Sequence, residues 1–384
     1  MKFNQSGKAI SFLYSLCFIG MLAGIWYFSI NFRIDKVITS MLFAMTFIGL
    51  AYIKNIWLKL FLLWTIIRTA MGFVPVSYAG LVFIFIYIML IQTGIDKLRR
   101  DYIPTILNII CGLALLQAIA MVLNYNGIWF IVLPLGAIGN VIPRILEVDL
   151  SSTYKVVTGF LSNTNMASVF LALSLPAFFR RKLFWLIPVV FIGLYIANSS
   201  GGMIPAIFAL CAFVLWKIYG KNKLASFSLL GIAILITFYF IFKVDSPFYH
   251  QGRLVVWGEI WKYVVPKKPI VGFGVGSFKV FFPTVHKLII NSPYANNRWT
   301  FAHNEYLQLL VEQGAIGLGI VLGYIVSLFR RVPKSRIALI SVIALSVGLL
   351  NSGVNFLFHT TGGILFIIWV VILEKEKGQG ELSL

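Results

Sequence analysis

Apolar runs of roughly twenty residues, the length an α-helix needs to cross about 30 Å of hydrocarbon, recur from one end of this chain to the other. Only a segment that satisfies its own backbone hydrogen bonds survives in hydrocarbon, which leaves helices and closed barrels. Barrel strands are short and alternate in polarity, and these runs are neither. With 60% hydrophobic and 11% charged residues in 384, the chain is too apolar for a soluble globule. The expected fold is all-α: a polytopic transmembrane helical bundle.

Spans are expected near residues 9–30, 37–53, 55–73, 76–93, 104–124, 164–179, 183–198, 203–219, 224–243, 304–329, 337–356 and 359–373, about twelve in all. The first run follows Lys2 and Lys8, is too long for a signal-peptide core and has no small-residue cleavage site, so it reads as a retained span. A net charge of +20 raises nucleic acid as a partner, but the basic residues sit in short clusters between apolar runs, where topology explains them. With a cytoplasmic N-terminus, the inside segments hold Lys2, Lys8, Lys54, Lys97, Arg99, Arg100, Arg180, Arg181, Lys182, Lys217, Lys221, Lys223, Arg330, Arg331, Lys334, Arg336, Lys375 and Lys377. The short outside ones hold only Arg33, Lys36, Arg144 and Lys155. That asymmetry satisfies the positive-inside rule and puts both termini in the cytoplasm. The chain then divides into spans one to nine (1–243), an extracytoplasmic loop (244–303), spans ten to twelve (304–373) and a cytoplasmic tail (374–384). Cys17, Cys111 and Cys211 fall inside spans without metal-ligand spacing and read as packing residues.

Two outside segments are long enough to carry a site. One, from about Asn124 to Asn163, is apolar through Ile128–Ile138 and reads as re-entrant or interfacial. The other is the long polar interruption from Asp245 to Gly317, where chemistry is expected. Its loop holds Arg253, Lys262, Lys267, Lys268, Lys279, Lys287 and Arg298 against the acids Asp245 and Glu259. Such a surface suits anionic head groups, and the planar fork of an arginine suits phosphate. His303 stands where the loop meets the tenth span. Its imidazole has an ordinary pKa near 6.5 and can take a proton from an attacking hydroxyl, while Asn304 suits the cap of the helix that follows. His250, His286 and His359 share no ligand spacing with it, so no zinc site is expected.

Arg68 lies within the third span, where a mid-helix arginine costs about 2.5–3.5 kcal/mol. It faces the bundle or a water-filled cavity, or snorkels to the outer interface. Gly272-Phe273-Gly274-Val275-Gly276 lacks the preceding strand and the third-glycine spacing of a nucleotide loop, and reads as a tight turn with exposed backbone. Glu147 and Asp149 are the close carboxylate pair that a metal-dependent membrane glycosyltransferase would use. Gly314, Gly317, Gly319 and Gly323 would let helices approach closely.

Arg253-x-x-x-Trp257, Pro269-x-x-Gly272-x-Gly274-x-Gly276-x-Phe278, His303-Asn304-x-x-Leu307 and Glu312-x-Gly314-x-x-Gly317 occur in this order. Together they resemble the signature of the O-antigen ligase and polymerase superfamily, the Wzy-C group of GT-C-like membrane glycosyltransferases. Upstream, Gly159-Phe160-x-Ser162-Asn163-x-Asn165 resembles the family's entry into the sixth span, with Ser168 where an alanine is usual. The resemblance implies a transferase of the cytoplasmic membrane with no cofactor and no metal. It would pass a glycan from undecaprenyl pyrophosphate to a lipid- or sugar-linked acceptor outside, among membrane lipids. Arg253 would hold the pyrophosphate and His303 would activate the acceptor hydroxyl, with Asn304, Trp257 and Glu312 in support. One departure stands out: Ser200 occupies the position where many members carry an arginine, leaving Arg68, Arg144 or Arg298 to supply a further cation. Ligase, polymerase and protein oligosaccharyltransferase all fit these residues. From another class, a polyprenyl-linked sugar flippase would show two corresponding halves with broken helices; the sequence shows no such halves and an outside-loaded loop instead.

Overall fold

The computed structural model describes residues 45–71, 76–126, 157–161, 163–180, 182–219, 252–282, 299, 301–330, 332, 335–355 and 357–378. Among them every regular element is helical and there is no strand. A helical segment at 45–52 precedes α1 (Ile56–Met71), α2 (Val76–Lys97), α3 (Ile103–Tyr125), α4 (Thr164–Ser174), α5 (Ile187–Ala197), α6 (Ser200–Tyr219), α7 (Arg253–Glu259), α8 (Glu305–Phe329), α9 (Arg336–Ser352) and α10 (Thr361–Lys377). The expected spans at 9–30 and 224–243, the first part of that at 37–53, and the segment 127–156 lie outside the described residues.

Among the described residues, four stretches are long and apolar enough to cross a membrane: Gly80–Lys97, Arg100–Tyr125, Gly201–Ile218 and Glu305–Phe329. Thr164–Phe179, Phe184–Ala197 and Arg336–Ser352 are shorter apolar helices. Proline accounts for part of the shortening. Pro176 sits in the first turn of a tight 3-10 segment, Leu175–Phe179, into which α4 passes, and Pro188 sits in the first turn of α5. A proline has no N–H to continue a helix ladder, so it is tolerated where a new helical turn begins.

The helices pack α1 on α8, α2 on α10, α3 on α5, α4 on α6 and α9 on α10. Between them lies one apolar core, with Phe178, Phe179, Phe213 and Trp369 almost wholly buried. Small residues admit large ones as expected at Gly323, where a Cβ would lie 2.3 Å from the Trp57 ring of α1, whereas Gly319 faces open space.

The two ends of the bundle differ. At one, basic side chains tie helix ends together: Arg180 donates to Asn108 Oδ1 at 2.7 Å, Lys377 to the Ser327 carbonyl at 2.8 Å, Arg336 to Phe179 and Arg100 to Lys375. At the other end the polar interruption packs onto the bundle. There α7 runs on through a π-turn (Ile260–Val264) and a 3-10 turn (Val265–Lys267). Val256, Ile260, Val264, Phe278 and Phe282 form a second small core with Leu307 and Val311 of α8. This core fixes the loop to the start of α8.

Candidate functional site

The site is built around a break in α8. Gly314 has φ 70° and ψ −175° inside the helix, an extended departure that interrupts the i→i−4 ladder and leaves backbone groups to be satisfied from elsewhere. The glycine-rich turn supplies them. Phe273 and Gly274 donate to the Val311 and Glu312 carbonyls, both at 2.8 Å, while Ala315 and Ile316 donate back to Pro269 and Ile270 at 2.9 and 3.3 Å. Trp64 Nε1 of α1 takes the Gln313 carbonyl at 2.9 Å. Glycine is required on both sides of this seam. A Cβ on Gly272, which has φ 69°, would lie 2.5 Å from the Glu312 carbonyl oxygen, and one on Gly314 2.1 Å from that of Ile270. The turn is therefore tight, as its sequence suggests, but its backbone is covered by α8 and not exposed.

Glu312, almost completely buried, closes the same unit from the side. Its Oε2 accepts from Gly276 N–H at 2.8 Å and its Oε1 from Phe278 N–H at 3.3 Å and Gln308 Nε2 at 3.4 Å. Gln308 in turn accepts from Ala302 N–H at 3.1 Å. Asn304, Gln308 and Glu312, four residues apart along one helix face, thus link the turn to the residue before His303.

His303 has φ 51°, a left-handed conformation that costs a residue with a β-carbon about 1–2 kcal/mol. Its neighbours hold it there. Trp257 Nε1 of α7 donates to the Ala302 carbonyl at 2.7 Å, Gln308 takes the Ala302 N–H, and the Asn304 side chain caps α8 by accepting from Leu307 N–H at 3.0 Å. Backbone strain that surrounding bonds over-determine in this way is typical of functional positions. The Trp299 ring meets the imidazole edge-on at 5.5 Å. Arg253, one turn before Trp257 on α7, is 6% exposed and donates from Nη1 to the Val354 carbonyl at 2.8 Å, in the turn between α9 and α10. Burial holds its guanidinium below its usual pKa. Burial, and then the charge of Arg253, lower the His303 imidazole from 6.5 to about 4.

The end of α9 brings a further polar group to this junction. Pro205 has no N–H for the Gly201 carbonyl one turn back, and Asn351 Nδ2 supplies that donor at 2.6 Å. The start of α6, which carries Ser200, is thereby tied to the last turn of α9, just before the turn that receives Arg253. On the other flank, Glu305 Oε1 accepts from Phe358 N–H at 2.9 Å and meets His359 Nδ1 at 3.3 Å.

Of the residues expected from sequence, Arg253, Trp257, His303, Asn304 and Glu312 converge on this end of the bundle. Arg68 is buried, as a mid-helix arginine should be, and its Nη2 donates to the Gly272 carbonyl at 2.8 Å. Among the described residues no hydrogen bond connects it with Arg253 or His303. Arg144 and Arg298 lie outside the described residues. Gln308, Asn351 and the Glu305–His359 pair were not anticipated. Gln308 was within reach of a helical-face reading between Asn304 and Glu312, whereas no sequence pattern joins His359 to a carboxylate 54 positions away.

No curated protein matches the chain. Residues 183–322, which span α5, α6, Arg253, the glycine-rich turn, His303 and the broken part of α8, match the family model described as O-antigen ligase.

Proposed function

We propose that the chain transfers a glycan from undecaprenyl pyrophosphate to an acceptor sugar on the outer side of the cytoplasmic membrane, as an O-antigen ligase does. The observation that carries this reading is that α7, with the buried guanidinium of Arg253, is fastened through Trp257 Nε1 to the Ala302 carbonyl, immediately before His303. The family match supports it. In this reading the chain crosses the membrane about twelve times, as the spacing of apolar runs suggests. Both termini are cytoplasmic and residues 244–303 form the outer catalytic loop. The gathering of Arg100, Arg180, Arg336 and Lys377 at the opposite end of the bundle supports that orientation.

The chemistry follows from the residues. Loss of the lipid diphosphate from the anomeric carbon builds negative charge on the leaving oxygens. A prepositioned donor in such a place contributes about 2.7–4 kcal/mol, by analogy with oxyanion holes, and Arg253 supplies that charge without a metal. His303, neutral at the pH of the cell envelope, takes the proton of the acceptor hydroxyl as that oxygen attacks the opposite face, giving inversion in one displacement. Arg68 steadies the glycine-rich turn from below, and Arg144 and Arg298 remain candidates for a further cation. Trp257, Asn304 and Glu312 hold the two reacting groups in register.

The test is transfer from a lipid-pyrophosphate glycan donor by purified protein. His303→Ala is expected to abolish transfer while the protein still accumulates in the membrane, and Arg253→Ala to weaken donor use. Full activity of the first, or unchanged donor kinetics in the second, refutes the assignment. A polymerase of the same family would use the same residues. Surface glycan from a strain lacking the protein separates the two: core with no ladder identifies a ligase, and a single repeat on core identifies a polymerase.

A further inference from the structure

We propose that His359, oriented by Glu305, is the proton outlet of the transfer site, receiving by way of water the proton that His303 takes from the acceptor hydroxyl and releasing it to the outer solvent. This inference rests on the transfer reading above and adds a second imidazole to it.

The geometry is that of a single grip. The segment 301–305 carries His303 at its centre and holds His359 from both ends. The Phe301 ring lies 4.6 Å from the His359 ring, and Glu305 Oε1 lies 3.3 Å from His359 Nδ1. On another side Phe83 of α2 stacks on the imidazole at 5.9 Å. The carboxylate is fixed as well, by Phe358 N–H. A carboxylate on one ring nitrogen sets the tautomer and leaves the other nitrogen, here Nε2, to exchange protons. His359 lies at the protein surface, with 31% of its side chain accessible against 11% for Glu305.

The electrostatics run in the required direction. An imidazolium at His303 forms in a buried place beside Arg253, which disfavours it. At His359 burial also disfavours the charge, but the hydrogen bond and charge of Glu305, followed by the charge of Glu312, outweigh both burial and the opposing charge of Lys279, and the pKa rises above 6.5. The nearby Tyr87 hydroxyl is committed to the Phe358 carbonyl at 2.7 Å. A proton therefore passes from the weaker base to the stronger. The balance is complete. The acceptor O–H bond breaks as its oxygen bonds the anomeric carbon. The bond from that carbon to the diphosphate oxygen breaks, with the electron pair leaving on the phosphate. The proton goes to His303, then to His359 and to solvent.

The experiment measures kcat and donor KM against pH for the full-length protein with a lipid-pyrophosphate glycan donor. His359→Gln is expected to lower kcat by about 10²-fold, the lower end for acid–base groups, with donor KM unchanged and with recovery on adding free imidazole. Glu305→Gln is expected to move the acidic limb of the kcat profile to lower pH. Wild-type kcat and profile in His359→Gln would overturn the outlet, as would a loss that imidazole does not restore together with an unmoved limb in Glu305→Gln. A wild-type protein that transfers nothing from the lipid-pyrophosphate donor overturns the transfer reading itself, which the other results leave standing.

Discussion

Trp257 Nε1 donates to the Ala302 carbonyl at 2.7 Å, so the helix that carries Arg253 is fastened to the residue immediately before His303. The two side chains proposed to handle opposite ends of the reaction lie 50 positions apart in sequence, and this bond joins their elements.

Trp257→Phe keeps most of the ring's packing and deletes the donor. One net hydrogen bond contributes about 1 kcal/mol to stability, and a misplacement on the order of 1 Å costs up to about 10²-fold in rate. The variant is expected to unfold slightly earlier in detergent and to transfer glycan about tenfold or more slowly. A wild-type kcat would show that the indole bond does not position His303.

The α8 break offers a contrast between two glycines five positions apart in one helix. At Gly314 a methyl group would meet the Ile270 carbonyl oxygen at 2.1 Å, and the left-handed φ of 70° would remain. Gly314→Ala is expected to cost at least about 2–3 kcal/mol from strain and overpacking. Gly319 meets nothing within 4 Å, so Gly319→Ala is expected to be neutral or to add up to about 1 kcal/mol of helix propensity. Thermal unfolding of the two purified variants side by side checks the difference. Equal midpoints would mean that the seam between α8 and the glycine-rich turn is not rigid.

The depressed basicity of His303 has a consequence for stability. Its folded value, about 4, lies below the ordinary 6.5, so between these two values the unfolded chain binds more protons and stability rises with pH. The contribution is fully present above about 6.5 and is lost as the pH falls toward 4. His303→Asn is expected to flatten that part of the curve of unfolding midpoint against pH. An unchanged slope between pH 4 and 6.5 would place the acid sensitivity in other groups.

The match between apolar runs and helices was legible because hydrocarbon imposes one condition on every residue of a span. The runs expected at 76–93, 104–124 and 304–329 appear as α2, α3 and α8 within a few residues of the expected ends. Asn304 as a cap was equally readable, since capping is decided within four residues. The interruption of α8 was not. Gly314 sits in an apolar, glycine-rich stretch that reads as a packing face, and only the approach of residues 269–274 gives its neighbours' backbone groups partners outside the helix.

Composition, charge placement and local motif order, properties of the chain alone, determined an all-helical membrane architecture and singled out Arg253 and His303. The tertiary structure decided which groups share a space: Arg68 with the Gly272 carbonyl, Asn351 with the carbonyl that Pro205 cannot serve, and Glu305 with His359. Each of these pairs closes a long stretch of chain to satisfy a buried polar group, and the identity of such a partner depends on where the helices pack, which no local pattern encodes.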